Sequence, residues 1–271
     1  MSRFFTIRGT LTNRDARFIS LIGIFLLLSV WSLFSYSGWA PKLILPTPTA
    51  VLKAFPTLHW EHALVRNAVA SFYRITMGFL LASIVAVPLG ITMGAFPSVK
   101  AFFRPLVDPL RFLPIAALVG LFIVWFGIGN AMKIMLLFTG IAVYMTPLIV
   151  ESVEGVDQVY LSTSYTLGAS KWQVICHVLA PAALPTIFEA LRVMNAIGWT
   201  YIILAEAISG GASGSGGILS SGGLGNLIIV AQKRSHTDQI FALIITILVI
   251  GVMTDLALRW TNKKMFFWKE N

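Results

Sequence analysis

Four charged side chains, Arg74, Glu189, Arg192 and Glu206, fall in or near stretches otherwise apolar enough to cross a membrane. Charge inside a bilayer is expensive, so each is a candidate for a solute path, an ion pair or a contact with a neighbour. Glu189 and Arg192 are three apart on one helical face and can neutralise each other. Arg192 also lies close enough to a span end to snorkel. Arg74 fits either an attractor for an anionic solute or an interfacial anchor. Glu206 falls where a helix would finish, and a carboxylate beside the negative end of a helix dipole is unfavourable. Another group must therefore hold it, from a neighbouring span or an external protein.

No other constellation in the sequence promises chemistry. The four histidines, His59, His62, His177 and His236, do not group with carboxylates or cysteine at metal-ligand spacing. The single cysteine, Cys176, permits no internal disulfide. No nucleophile is set beside a base, and no glycine-rich phosphate loop is present, so neither catalysis nor ATP hydrolysis by this chain is expected.

The elements that must position those charges are membrane spans. The 271 residues are 57% hydrophobic and only 11% charged, with a mean hydropathy of +0.82. Soluble domains carry about 25% charged residues. The net charge of +9 does not point to nucleic acid, because the basic residues flank apolar runs as the positive-inside rule requires. A helix needs about 20 apolar residues to cross the hydrocarbon core. The candidate spans are Phe18–Tyr36, Phe72–Phe96, Phe112–Phe126, Ile134–Val150, Leu184–Ile208 and Ile240–Trp260. The first is longer than the about 7–15 residues of a signal-peptide core, so it reads as a retained span. The third is short, begins at Pro114 and ends in Trp125-Phe126-Gly127-Ile128-Gly129. With the N-terminus inside, Arg and Lys favour inside segments about two to one, and both termini are cytoplasmic. Gly78, Ala82, Ala86 and Gly90, spaced by four, form a stripe that lets helices approach closely. Pro88 and Pro114 are candidate hinges. The Gly/Ser-rich run Ser209–Gly225 reads as a flexible loop.

Residues 151–183 form the longest cytoplasmic connection. Gly168 permits a turn or a close backbone approach. After it, Ala169-Ser170-Lys171-Trp172-Gln173-Val174-Ile175-Cys176-His177-Val178-Leu179 reads as a short helix, with Trp172, Ile175, Cys176 and Leu179 on one face. Pro181 and Pro185 are expected to end it. An exposed tryptophan there suits either a docking knob or a helix lying on lipid headgroups.

The stretch Thr166–Arg192 occurs with Ile44–Leu52, Ser71–Ala82, Trp125–Ile134, Leu204–Ile208, Gly223–Ile228 and a terminal Trp268-Lys269-Glu270. This ordered set, covering nearly the whole chain, resembles the permeases of bacterial ABC importers, in the branch that imports nitrate, bicarbonate, taurine and aliphatic sulfonates. The family's glutamate-alanine-alanine element stands here as Ser162-Thr163-Ser164, and the loop after Ile208 is longer than expected. The resemblance implies an all-α polytopic membrane protein of about six transmembrane helices with the type I (MetI-like) permease fold. It implies a cytoplasmic segment 1–17, a permease domain 18–260 and a cytoplasmic tail 261–271. The partners it implies are two ATP-binding subunits carrying the Mg-ATP, a second permease copy, a periplasmic or lipid-anchored substrate-binding protein, and membrane lipid. This chain would need no cofactor of its own. The location implied is the bacterial inner membrane. Gly168, Ala169, Lys171, Trp172 and Ile175 would couple to the ATPase, with Trp172 filling a groove on it. Arg74 and Glu206 would be candidates for the solute path. An ion-coupled secondary transporter or channel is the competing class; its mark would be inverted repeats with broken helices at matching positions.

Overall fold

The computed structural model describes residues 11–208 and 222–266, and among these the regular structure is entirely helical. In chain order the elements are α1 (Asn13–Tyr36), α2 (Pro48–Trp60), α3 (Leu64–Ala95), α4 (Pro97–Leu110), α5 (Ile115–Phe126), α6 (Asn130–Glu154), α7 (Gln158–Thr166), α8 (Lys171–Val174), a π-helical turn (Ile175–Leu179), α9 (Ala180–Ala207), α10 (Leu224–Lys233) and α11 (Thr237–Met265). Five continuous helical runs are long and apolar enough to span: α1, α3, α6, α11 and the run Lys171–Ala207. They coincide with five of the six expected spans, each extended by a turn or more at one or both ends. The terminal Trp-Lys-Glu motif and most of the Gly/Ser-rich run lie outside the described residues.

The third expected span is not a straight helix. Its helical part, α5, is 12 residues, about 18 Å, and too short to cross a 30 Å core alone. It is completed by α4, bent from it by 98° at Arg111–Pro114. Pro114 cannot continue a helix from the preceding turn, and Gly127, at φ +68°, closes α5 at its other end.

The centre of the fold is the pairing of α3 with α6. A Cβ added at Gly78 would lie 2.7 Å from Leu137 Cβ, at Gly90 2.6 Å from Ile149 Cγ2, and at Gly94 2.7 Å from Val153 Cβ. Ala82 and Ala86, between these glycines, are fully buried. The small-residue stripe is thus a packing seam, which in lipid substitutes backbone approach for the missing hydrophobic drive. The contacts keep one register (78 to 137, 90 to 149, 94 to 153), so the two helices run parallel. Parallel neighbours require the chain to cross back between them, and the bent α4–α5 unit makes that crossing. The end at which α3 and α6 begin is called the upper end here, and the other the lower.

α9 completes this core: Gly198 sits against Ile141 and Ile75 where α9 meets α6 and α3. Arg192 of α9 pairs with Asp255 of α11 at 2.8 Å, and Asp255 also receives Arg259 at 2.7 Å. The ion pair expected between Arg192 and Glu189 is therefore replaced by a tie between helices. A separate apolar cluster joins α2 (Val51, Ala54, Leu58), α10 (Leu224, Ile228) and α11 (Ala242, Leu243) at the upper end. α1 is the outlier, almost wholly exposed apolar surface; it is tethered mainly through Trp31, whose Nε1 donates to the Pro46 carbonyl at 3.1 Å and whose ring stacks on Phe241.

Candidate functional site: an exposed corner and a buried clasp

At the lower end the chain leaves α6, makes the short helix α7 and turns sharply into α8. Asp157 caps α7, its carboxylate accepting the Val159 N–H at 2.9 Å. The other end of α7 closes through two bonds: the Gly168 N–H donates to the Tyr165 carbonyl (3.0 Å) and the Ala169 N–H to the Ser164 carbonyl (3.1 Å). That pair is a Schellman motif, which needs a left-handed residue, and Gly168 supplies it at φ +82°. No atom lies within 4 Å of where its Cβ would be. Within this chain Gly168 therefore serves the turn. The next helix begins at once with a capping box. Ser170 Oγ accepts the Gln173 N–H at 3.4 Å, and Gln173 Oε1 accepts the Ser170 N–H at 2.8 Å. Only Ala169 separates the stop of one helix from the cap of the next, so the corner is fixed by backbone bonds on both sides.

Two expectations for this segment need correction. First, Pro181 and Pro185 do not end the helix: Lys171–Ala207 is one continuous run of 37 residues. Both prolines are carried early in α9, directly after a π-helical turn, where the altered hydrogen-bond spacing absorbs missing donors. Second, Ile175 does not point outward with Trp172. Ile175 is 9% exposed and packs in the central core with Leu179, Ala183 and Ile187, whereas Trp172 is 65% exposed. The widened turn rotates the stripe, so Val174 joins the inner face and Cys176 the outer. The outward surface is shared with α7. Val159, Tyr160, Tyr165 and Leu167 are exposed there, with Lys171 and Trp172 beyond the turn. Trp172 meets Phe96 edge-on at 6.0 Å. Two of the three hydroxyls that stand at the glutamate-alanine-alanine positions turn back on their own helix. Ser162 Oγ donates to the Gln158 carbonyl (3.0 Å) and Ser164 Oγ to that of Tyr160 (2.7 Å).

Towards the upper end the buried charges come together. Glu206, fully buried near the end of α9, receives Arg74 Nη1, Ser71 Oγ (2.8 and 2.9 Å to its two oxygens) and the Gly225 N–H (2.9 Å). Arg74, 1% exposed, also donates from Nε to Asn130 Oδ1 at 2.8 Å and from Nη1 to the Gly222 carbonyl at 3.2 Å. Ser71 Oγ accepts the Leu224 N–H and Asn67 Oδ1 the Gly223 N–H, both at 2.8 Å. Lys133 of α6, 5% exposed, reaches the same Gly222 carbonyl at 3.4 Å. Glu206 is thus the anion at the N-terminus of α10, where a helix dipole favours it. The expectation that another group must hold this carboxylate is met from α3 and α10. The glycines make this possible. A Cβ on Gly223 (φ +91°) would lie 2.0 Å from Glu206 Oε1, and one on Gly225 2.8 Å from Ile203 Cα.

Arg74 is accordingly buried rather than placed at an interface, and it and Glu206 are engaged with each other. The two form a clasp that ties α3, α6, α9 and α10 together. Sequence reasoning had both residues but not their partnership. It gave no role to Asn67, Ser71 or Lys133; the available signal was the four-residue step from Asn67 to Ser71 on the face that carries Arg74. No group of three or more potential metal ligands occurs among the described residues.

Residues 86–267 match the family described as binding-protein-dependent transport system inner membrane component. The chain is 33% identical to a putative ABC transporter permease protein of Methanocaldococcus jannaschii over 89% of its length and 88% of that protein's. It is 30% identical to the taurine transport system permease TauC of Escherichia coli (92% and 89% covered) and 29% identical to the bicarbonate transport system permease CmpB of Synechococcus elongatus (92% and 89%). Among solved structures it resembles a chain of the MetNI methionine ABC transporter in an inward-facing conformation, with a TM-score of 0.61, 17% identity and 78% of this chain and 96% of that one covered. It also resembles a chain of a bacterial alginate ABC transporter in complex with an alginate-bound periplasmic protein, with a TM-score of 0.54, 15% identity and 94% and 96% covered.

Proposed function

This chain belongs to the family of binding-protein-dependent transport system inner membrane components and is the membrane-spanning permease subunit of an ABC importer; from that premise we propose that it passes a small oxyanion or organic acid, of the sulfonate, taurine, bicarbonate or nitrate type, into the cell. Its relatives include permeases named for taurine, aliphatic sulfonates and bicarbonate, whose solutes share a compact anionic oxygen cluster. In this reading two copies pair, two ATP-binding subunits carrying Mg-ATP sit against the lower end, and an external binding protein delivers solute to the upper end. Both termini are cytoplasmic, as the Arg and Lys distribution favours.

The observation that carries the coupling assignment is the corner at Gly168–Ser170. A surface that receives force must not bend locally, and this one is closed by a Schellman motif on one side and a capping box on the other. Its exposed aromatic and aliphatic groups, Tyr160, Tyr165, Leu167 and Trp172, are the kind that anchor interfaces. Lys171 lies at the rim, where an ion pair adds about 0–1 kcal/mol. Gly168 and Ala169 shape the corner, and Ile175 fastens it to the core.

The test is reconstitution of this chain with its ATPase and binding protein in proteoliposomes. Uptake of a labelled sulfonate or bicarbonate should require ATP and the binding protein, and should persist when ionophores collapse every ion gradient. Uptake that follows an ion gradient without ATP would transfer the chain to the secondary-transporter class.

A further inference from the structure

α4 has no buried residue, yet its two sides differ. Phe102, Leu106 and Leu110 project from one side, and Arg104, Asp108 and Arg111, at i, i+4 and i+7, from the other. Its lower end is fixed by the pairing of Lys100 with Glu154, the last residue of α6. Its upper end is fixed by Tyr144, whose hydroxyl donates to the Arg111 carbonyl at 3.0 Å. Tyr144 lies ten positions before Glu154, about 15 Å along the α6 axis. α6 spans 25 residues, about 37 Å, against a hydrocarbon layer of about 30 Å. Arg111 is therefore well inside the depth of the bilayer. There it is still 40% exposed at its side chain, with Asp108 at 36% and Arg104 at 64%. Charges at that depth do not face lipid; they face protein or a water-filled space.

We propose that the Arg104–Asp108–Arg111 face of α4 lines the lower half of the water-filled solute passage and is a transit station for the small oxyanion that this permease carries. The proposal rests on the function given above. Asp108 accepts a hydrogen bond from Arg104 Nε at 3.1 Å and forms an ion pair with Arg111 Nη2 at 3.6 Å, which orients both guanidinium groups and leaves the triad one positive charge in excess. Each guanidinium presents five N–H donors, so a carboxylate held by one edge leaves others for the planar or tetrahedral oxygens of bicarbonate, nitrate or a sulfonate. The other cations described within the spans are engaged: Arg74 and Lys133 are buried in the clasp towards the upper end, and Arg192 is bound to Asp255. Solvent exposure keeps the station weak, which a passage requires, since a solute bound tightly midway would not leave.

The test uses the complete importer in inside-out vesicles, in a Cys176→Ser background. Val107→Cys adjoins the charged side of α4 and Leu106→Cys lies on the apolar side, although Leu106 is the more exposed of the two residues. A membrane-impermeant anionic methanethiosulfonate should modify Val107→Cys at least about tenfold faster than Leu106→Cys, because only the first lies against water. Adding Arg111→Gln should lower the ratio of anionic to cationic reagent rates at Val107→Cys by about threefold or more, and Arg111→Lys should restore it. Equal labelling at the two positions, no labelling at Val107→Cys, or a rate ratio indifferent to Arg111→Gln overturns the proposal. Labelling does not depend on turnover, so it separates this proposal from the function itself, which fails only if the unmodified importer takes up none of the anions. For transport, Arg111→Gln should lower kcat at least about fivefold while binding-protein-stimulated ATP hydrolysis continues. Unchanged kcat in both Arg111→Gln and Arg104→Gln also overturns the proposal.

Discussion

Removing Glu206 should destabilise the protein more than removing Arg74, and the asymmetry follows from the charge count in the clasp. Glu206 is the carboxylate among Arg74, Lys133 and the N-terminal N–H groups of α10. Without it, two buried cations face each other and the Gly225 N–H loses its acceptor. Breaking a buried pair by deleting one partner costs about 3–5 kcal/mol. For a domain of this size each kcal/mol moves Tm by roughly 2–4 °C, so Glu206→Ala should lower it by about 6–20 °C. Arg74→Met leaves Glu206 with Lys133 nearby and with Ser71 and Gly225 still donating, so roughly half that loss is expected. Glu206→Gln keeps the shape and one acceptor oxygen and should fall between wild type and Glu206→Ala. The double variant Arg74→Met/Glu206→Gln should cost less than the two single variants added together, by about 1–3 kcal/mol. The assay is the monodisperse fraction remaining after heating in detergent, read by size-exclusion chromatography. If Glu206→Ala melts within about 2 °C of wild type, or Arg74→Met proves the more damaging, charge balance is not what holds these helices together.

The corner and the seam yield sharper contrasts. Trp172→Ala should leave thermal stability within about 1 kcal/mol of wild type, because the side chain is largely exposed, yet uncouple ATP hydrolysis from uptake. Ile175→Ala, three residues on, should do the reverse in kind: a loss of about 2–4 kcal/mol from the core cluster, measured by the same melting assay. Gly168→Ala meets no neighbouring atom, so its cost should be only the left-handed backbone penalty of about 1–2 kcal/mol, and Gly168→Asn should recover much of it. Equal melting points for Gly168→Ala and wild type would remove the turn argument. Gly90→Val would drive a side chain into Ile149 and force α3 from α6, so it should abolish the folded, detergent-soluble peak; a normal peak would refute the shared register of the two helices.

The spans were legible because a bilayer imposes a length and a composition on any helix that crosses it. The seam at Gly78, Ala82, Ala86 and Gly90 was legible for a similar reason: small residues at helical spacing have few uses in lipid other than close packing. The broken crossing was half legible. Pro114 and the glycines after Trp125 advertised a short helix, but nothing local in the segment Pro97–Leu110 said that it would enter the bilayer from the lower end and complete the crossing. That placement is set by the parallel packing of α3 on α6, which is a tertiary fact. The clasp was illegible for the same reason. Arg74 and Glu206 are 132 positions apart, and each looked like a lone charge until the helices that carry them were brought together.

The prolines after the corner show where a local rule gives way. Pro181 and Pro185 lack the donors a regular helix needs, and the expectation that they stop it is sound for an isolated segment. Here the turn Ile175–Leu179 is π-helical, and the core contacts of Ile175, Leu179, Ala183 and Ile187 hold both sides of the irregularity in line. Tertiary packing thus maintains a helix that local propensity would break. The result is a single rod of 37 residues, about 55 Å long, with Trp172 near its lower end and Glu206 near its upper end. The exposed corner and the buried clasp look unrelated in the sequence because they lie at opposite ends of the bundle, yet one unbroken backbone joins them. Neither can shift along that axis without the other following, unless the π-helical turn itself gives.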